Sequence, residues 1–169
     1  MEIEFICTGG TIDKDYAASA GTYNFEIGEP AVNRILKKIN TNFNYNIKSI
    51  LKKDSLDITD KDRELIYSAC INSEYKKIIL THGTDTMVKT ANHLSKIKNK
   101  VIILVGASKP QKFHDTDAEF NVGVAIGAIE LLKDGTYVAM NGRIYNWDNC
   151  EKQKNDGIFL ENNPVYKKI

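Results

Sequence analysis

Apolar residues fall into two repeating patterns along the chain. Short runs rich in β-branched residues occur at 3–7, 47–51, 77–80, 101–105 and 137–140. The central runs lack the alternation of polar and apolar residues that marks a strand with one solvated face. This favours strands that are buried on both faces of a parallel sheet.

Between these runs the apolar residues recur at helical spacing behind recognisable start signals. The start signals are Pro30, Thr59, Thr86 and a capping-box pair formed by Thr116 and Glu119. The stripes that follow them are Val32, Ile35, Leu36 and Ile39; Leu65, Ile66, Ala69 and Cys70; Ala91, Leu94 and Ile97; and Phe120, Val124, Ala128, Leu131 and Leu132, with Gly135 ending the last helix. The sequence therefore predicts four helices.

Strands that alternate with helices predict an α/β fold with right-handed crossovers. We expect residues 1–169 to form one domain, a doubly wound and mostly parallel sheet flanked by helices in a three-layer sandwich of Rossmann or flavodoxin-like type. Residues 13–28 interrupt the alternation and predict a hairpin or a mobile lid. After Met140 the pattern weakens into a polar segment, and we expect residues 153–169 to be an irregular tail.

Composition and charge narrow the range of partners. The chain has 23 basic and 22 acidic residues, a net charge of +1, and arginine only at Arg34, Arg63 and Arg143. This balance disfavours a nucleic-acid partner. The absence of an apolar run of membrane-spanning length predicts no membrane segment, and the acidic start that leads directly into a strand predicts a cytoplasmic protein without a signal peptide.

Cysteine and histidine spacing predicts neither a disulfide framework nor a metal site. Cys7, Cys70 and Cys150 are far apart, so we interpret them as free thiols, with Cys7 and Cys70 in the core. His93 and His114 have no partner at metal-ligand spacing. No cofactor or metal is predicted, and His82 is expected to support its turn by hydrogen bonding.

Two threonine-containing turns carry the candidate chemistry. TGGTI at 8–12 and HGTDT at 82–86 each follow an apolar run, so they lie at the carboxyl ends of parallel strands, where open α/β sheets bind ligands. A threonine hydroxyl can act as a nucleophile when a base and oxyanion donors lie beside it. The alternative is that these hydroxyls only cap helices.

The order of these motifs resembles the bacterial-type asparaginase and glutaminase family. TGGTI is followed by Asp54-Ser55, by HGTDTM, by GASKP at 106–110, and by Asp117 with Phe120-Asn121. The resemblance extends from Ile6 to about Lys152. It implies hydrolysis of L-asparagine, with L-glutamine as a further substrate, in a homodimer or homotetramer without a cofactor.

The resemblance also implies roles for individual residues. Thr11 matches the nucleophile, Thr84 and Asp85 match the second catalytic threonine and its aspartate, and the family register places the catalytic lysine on Lys152. Ser55 matches the residue that holds the substrate's α-carboxylate, and Asp85 would pair with its α-ammonium. The implied substrate contacts are Gly10, Asp54, Ser55, Gly83, Thr84, Asp85 and Ala107.

Departures from the family pattern keep other functions open. Phe25 stands where the family has a lid tyrosine, and Tyr23 or Tyr16 could take the place of that tyrosine. Leu56 stands where many members have a polar residue. The chain also ends before the family's smaller second domain. The alternatives are a weakly active or inactive amino-acid-binding module and an amidase that acts on a larger substrate.

Overall fold

The computed structural model describes residues 1–16 and 25–163. Its strands are β1 (Glu2–Gly9), β2 (Lys14–Tyr16), β3 (Phe25–Ile27), β4 (Asn44–Lys53), β5 (Lys77–Thr81), β6 (Val101–Val105), β7 (Gly135–Met140), β8 (Arg143–Asn146), β9 (Glu151–Lys152) and β10 (Phe159–Leu160). Its α-helices are α1 (Ala31–Lys37), α2 (Asp60–Ile71), α3 (Met87–Leu94) and α4 (Ala118–Ala128). Single 3-10 turns lie at Thr11–Asp13, Ser55–Asp57 and Trp147–Asn149.

The main sheet has the strand order β4-β1-β5-β6-β7-β8. The first five strands are parallel, and β8 pairs with β7 in the antiparallel direction. Along the parallel strands this is the 2-1-3-4-5 order of flavodoxin-like folds, whose ligands bind where the order reverses. Here that reversal lies between β1 and β5. The predicted doubly wound sheet is confirmed.

Helices cover both faces of the sheet. Buried residues of α1 and α4 pack with Phe5, Ile79 and Ile103 on one face, and those of α2 and α3 pack with Ile6 and Leu80 on the other. Alternate residues of the central strands therefore enter two separate cores, which explains why their sequences show no polar alternation. Cys7 and Cys70 lie in these cores, as predicted.

The last helix differs from its prediction. Its buried positions are Ala118, Asn121, Val122 and Ala125, while Phe120 is 64% and Leu131 is 86% exposed. The stripe of small residues lets α4 lie close to β6 and β7, and this packing overrides the more apolar stripe. The predicted capping box is also wrong, because the Glu119 carboxylate accepts from Lys38 at 2.6 Å and from Gln111 at 3.2 Å.

Two further segments, around residues 13–28 and after Met140, contain strands. β2 and β3 form the expected hairpin at the two ends of the 13–28 segment. The segment after Met140 is not merely a polar tail, because β8 extends the sheet and β10 pairs with β9. Phe159 of β10 is fully buried, so the predicted irregular tail is wrong at these residues. In residues 1–16 and 25–163 no helix has the length and apolarity to cross a bilayer.

Candidate active site

Two glycine turns meet at the point where the strand order reverses. Gly10 follows β1 with a φ of 84°, and Gly83 follows β5. A Cβ placed on Gly10 would lie 2.4 Å from the Gly83 nitrogen, and one placed on Gly83 would lie 2.7 Å from the Ser55 Cβ. Only glycine permits this approach. The three sequence motifs therefore converge on one place.

Thr11 begins the 3-10 turn that follows Gly10. Its hydroxyl makes no hydrogen bond to any residue in 1–16 or 25–163 and remains half-buried. Thr8, the other threonine of this motif, is fully buried, and its hydroxyl donates to the Thr81 carbonyl at 2.8 Å. Thr8 thus ties β1 to β5, whereas Thr11 is the hydroxyl of this turn that is left to react.

Asp13 ends the same turn and was not identified from the sequence. Its side chain is 2% exposed, and Oδ1 accepts the Ala31 backbone N–H at 2.7 Å at the start of α1. Burial raises the pKa of this carboxyl to about 7, although the Ala31 N–H and the charges of Arg34 and Lys52 oppose the shift. Its hydrogen-bond partner lies 18 residues away, so no local sequence signal marks it.

His82 supports the second turn, as predicted. Nδ1 lies 2.7 Å from the Gly83 carbonyl, and Nε2 lies 2.9 Å from the Thr90 hydroxyl. Since a carbonyl only accepts, Nδ1 carries the proton and Nε2 accepts from Thr90. Burial lowers the pKa of His82 to about 4, which keeps the ring neutral.

Ser55 connects the third motif to the second turn. Its hydroxyl accepts the Asp85 backbone N–H at 3.3 Å, and its carbonyl accepts the Thr86 hydroxyl at 2.7 Å. Asp54 just before it caps the short turn by accepting the Leu56 N–H at 3.3 Å, and pairs with Lys14 at 2.6 Å. Leu56 is exposed beside this group.

Lys152 reaches the second turn from β9. Its Nζ donates to the Thr84 hydroxyl at 2.8 Å and to Asp85 Oδ1 at 2.6 Å. Because an ammonium only donates, Thr84 Oγ1 is the acceptor in this bond, and its own proton stays available to another group. Asp85 holds the lysine in place with an ion pair.

The loop after β6 and the hairpin lie against the two turns, since a Cβ on Gly106 would lie 2.5 Å from the His82 carbonyl oxygen and one on Gly9 would lie 3.1 Å from Ile27 Cγ2. Ala107 is buried, and the Asp117 carboxylate fixes the loop by accepting the Ser108 N–H at 2.9 Å. The ring of Phe113 from this loop lies 6.3 Å from that of Tyr16 and 6.0 Å from that of Phe25, which stack on each other at 5.1 Å. The hairpin thus rests on the loop through three aromatic rings.

The structure brings most of the predicted site residues together, and Ala107 lies buried in the loop after β6. Gly10, Ser55, Gly83, Thr84, Asp85 and Lys152 are joined by the close approaches and hydrogen bonds given above, and Asp54 lies in the same short turn as Ser55. Thr11 follows Gly10 directly but has no described side-chain partner. Of the tyrosines considered for the lid, Tyr16 stacks on Phe25, and Tyr23 lies outside the described residues.

This arrangement contains the parts needed for acyl transfer. It places an unpaired hydroxyl, a second hydroxyl polarised by an ammonium, and a carboxylate around one pair of glycine turns. The backbone N–H groups of such turns are donors for an oxyanion. The chemistry that fits is attack on a carbonyl carbon.

Known proteins are similar to this chain in sequence and in fold. Residues 2–160 match a family model described as asparaginase, N-terminal. The chain is 31% identical over 156 residues to the glutaminase-asparaginase of Acinetobacter glutaminasificans, which covers 85% of this chain and 47% of that protein. It is 29% identical over 175 residues to the probable periplasmic L-asparaginase of Haemophilus influenzae, which covers 97% of this chain and 50% of that protein.

A solved structure shows the same fold. The thermostable L-asparaginase from Thermococcus kodakarensis superposes with a TM-score of 0.84 at 24% identity, over 97% of this chain and 52% of that one. The chain therefore spans about half the length of the relatives that it matches.

Proposed function

We propose that this chain, which belongs to the asparaginase family, hydrolyses L-asparagine to L-aspartate and ammonia through a threonine nucleophile. L-Glutamine is a further candidate substrate. We also propose that residues 1–169 form a single domain of the asparaginase N-terminal type. The observation that carries the proposal is the pair of hydrogen bonds from Lys152 to Thr84 and Asp85.

The proposed first step is attack by Thr11 on the side-chain amide. The Thr11 Oγ1–carbon bond forms, the carbon–nitrogen bond breaks, and one proton passes from Thr11 to the leaving nitrogen. The position of Thr11 directly after Gly10, which meets the Gly83 turn, supports this role. In the second step water adds its oxygen to the ester carbon, the bond between that carbon and Thr11 Oγ1 breaks, and one proton of the water restores the Thr11 hydroxyl.

Thr84 and Lys152 are proposed to relay that proton. The Thr84 hydroxyl accepts from Lys152, so it can give its own proton to the leaving nitrogen and take one from the lysine, and the Thr11 proton then restores the lysine ammonium. Asp85 keeps the ammonium aimed at Thr84. The pair can also stabilise negative charge on the carbonyl oxygen in the transition state.

Substrate orientation is proposed to depend on opposite charges. Asp85 is half-exposed, and its Oδ2 atom, which is not the one bound to Lys152, would accept the substrate's α-ammonium. Backbone and hydroxyl donors near Ser55 would hold the α-carboxylate. Binding both ends fixes the amide carbonyl relative to Thr11, and this converts binding energy into orientation.

A second candidate function is an amino-acid-binding module without turnover. The observation that favours it is the Thr11 hydroxyl, which has no hydrogen-bonding base in the described part of the chain. Phe25 at the lid position supplies no hydroxyl. In this case the pocket would bind aspartate or asparagine and release no ammonia.

Ammonia release from L-asparagine and L-glutamine separates the two functions. Wild-type turnover that Thr11→Ala and Thr84→Ala abolish supports the hydrolase. Binding of asparagine by calorimetry with turnover no faster than in the two variants supports the binding module. Neither binding nor turnover would exclude both.

We further propose that the protein is cytoplasmic and assembles as a homodimer or homotetramer. Three buried cysteines that are unpaired suit a reducing compartment. A second copy would cover the exposed edge of the pocket formed by Asp85 and Leu56. Light scattering tests the assembly, and a monomer at assay concentration would contradict it.

A further inference from the structure

A second concave site lies far along the sheet from the glycine turns. It is a groove of about 480 Å³ between the edge strand β4 and helix α2, with Glu4 of β1 and Tyr75 before β5 at its ends. Pockets of this size suit small ligands. None of the residues proposed for asparagine hydrolysis lines it.

The groove contains an almost fully buried carboxylate. Glu4 is 6% exposed, and its Oε1 accepts the Asn46 side-chain amide at 2.9 Å. Its Oε2 accepts no hydrogen bond from residues 1–16 or 25–163, and no basic group of these residues lies within ion-pair distance. Oε2 is not among the fully buried oxygens that lack a hydrogen-bond partner, so it is open to the groove, where a cationic donor could bind it.

The charged residues around the groove leave the free oxygen of Glu4 without a partner. The ionisable residues that line the groove are Glu4, Glu74 and Lys48, two acids and one base, which give a formal charge of −1. Lys100 lies nearby, but its ammonium donates to the Ser73 and Tyr75 carbonyls at 2.6 and 2.8 Å.

The remaining wall of the groove is apolar. Ile50 of β4 and Leu65 and Ala69 of α2 line it, and Leu65 is exposed to solvent. A ligand that fits must therefore combine a positive head with an apolar stem. We propose that this groove is a binding site for a small primary alkylammonium, whose head binds Glu4 and whose stem lies against Ile50, Leu65 and Ala69.

The test compares n-butylammonium with n-butanol, which has the same stem and no charge. Chemical-shift titration of the wild-type chain is expected to show saturable shifts at groove residues with the amine and none with the alcohol at equal concentration. Nα-acetyl-lysine-N-methylamide tests whether a lysine side chain is the source of the same head group. Equal binding of amine and alcohol would overturn the proposal.

Two variants keep the test independent of folding. Glu4→Gln is expected to weaken amine binding about tenfold or more, because it removes a charge-assisted hydrogen bond. The exposed Glu2 of the same strand supplies the control Glu2→Gln, which should leave binding unchanged. If Glu4→Gln fails to fold, Leu65→Arg on the exposed wall is expected to abolish binding, and unchanged binding in either groove variant would overturn the proposal.

Discussion

The side-chain nitrogen of Lys152 lies 2.8 Å from the hydroxyl oxygen of Thr84, although 68 residues separate them in the chain. The bond joins β9, which follows the main sheet, to the turn at the end of a central strand. Lysine at this position is otherwise the kind of residue that lies in solvent. Its ion pair with Asp85 gives it a defined direction.

Replacing Lys152 by methionine is expected to lower kcat about 100-fold or more, as loss of a proton-transferring group does. Methionine keeps most of the stem and removes the ammonium that polarises Thr84. The measurement is steady-state ammonia release from asparagine. Lys154→Met, at an exposed position of the same segment, is the control and should keep wild-type activity.

Replacing Gly10 by alanine is expected to destabilise the protein by at least about 2 kcal/mol. The new Cβ would lie 2.4 Å from the Gly83 nitrogen at a φ of 84°. Urea unfolding measures the change. Gly123→Ala is the matched control, since nothing lies within 4 Å of its Cβ on α4, and it should stabilise the helix by up to about 1 kcal/mol.

The free energy of unfolding of an Asp13→Asn variant is expected to rise relative to wild type as pH increases from about 4 to 7. The pKa of Asp13 is raised from 3.8 to about 7. The stabilising contribution of the protonated carboxyl to the free energy of unfolding is therefore complete below pH 3.8 and is lost as the pH rises to about 7. Asparagine can still accept the Ala31 N–H but does not titrate. The difference in free energy of unfolding between the variant and the wild type should grow by about 1.4 kcal/mol per pH unit in this range. A difference that stays constant with pH would contradict this prediction.

His82→Gln is expected to show the opposite trend between about pH 4 and 6.5. The pKa of His82 is lowered from 6.5 to about 4. The contribution of the neutral ring to the free energy of unfolding is therefore complete above pH 6.5 and is lost as the pH falls to about 4. The stability of the variant relative to wild type should therefore improve as the solution becomes more acidic. In the wild type Asp13 and His82 make the free energy of unfolding change with pH in opposite directions. A variant with both substitutions should lose both pH dependences.

Local sequence signals predicted the parts of the fold that local physics determines. The runs around Phe5, Ile79 and Ile103 are long and apolar enough to identify central strands, and Thr59 caps α2 with a capping box completed by Asp62. Strands β8 to β10 were missed because they are short and form only against an existing sheet or each other.

Residues whose roles depend on long-range contacts could not be identified from the sequence alone. Lys152 was predicted only through the register of the related family, because nothing in its own segment distinguishes it from other lysines. Asp13 was missed because its hydrogen-bond partner is Ala31. In α4, packing against the sheet selected small residues over Phe120, and the helix ends before Leu131; a hydropathy pattern does not show that choice.

Rapid quenching of the reaction with asparagine, followed by mass analysis of the peptides, tests the central claim most directly. We predict a β-aspartyl ester on the peptide that contains Thr11, absent from Thr11→Ala and accumulating in Lys152→Met if loss of the relay slows release more than attack. Thr11→Ser, which keeps a hydroxyl, should still form the ester. An ester on Thr84, or turnover that persists in Thr11→Ala, would contradict the assignment of Thr11 as the nucleophile.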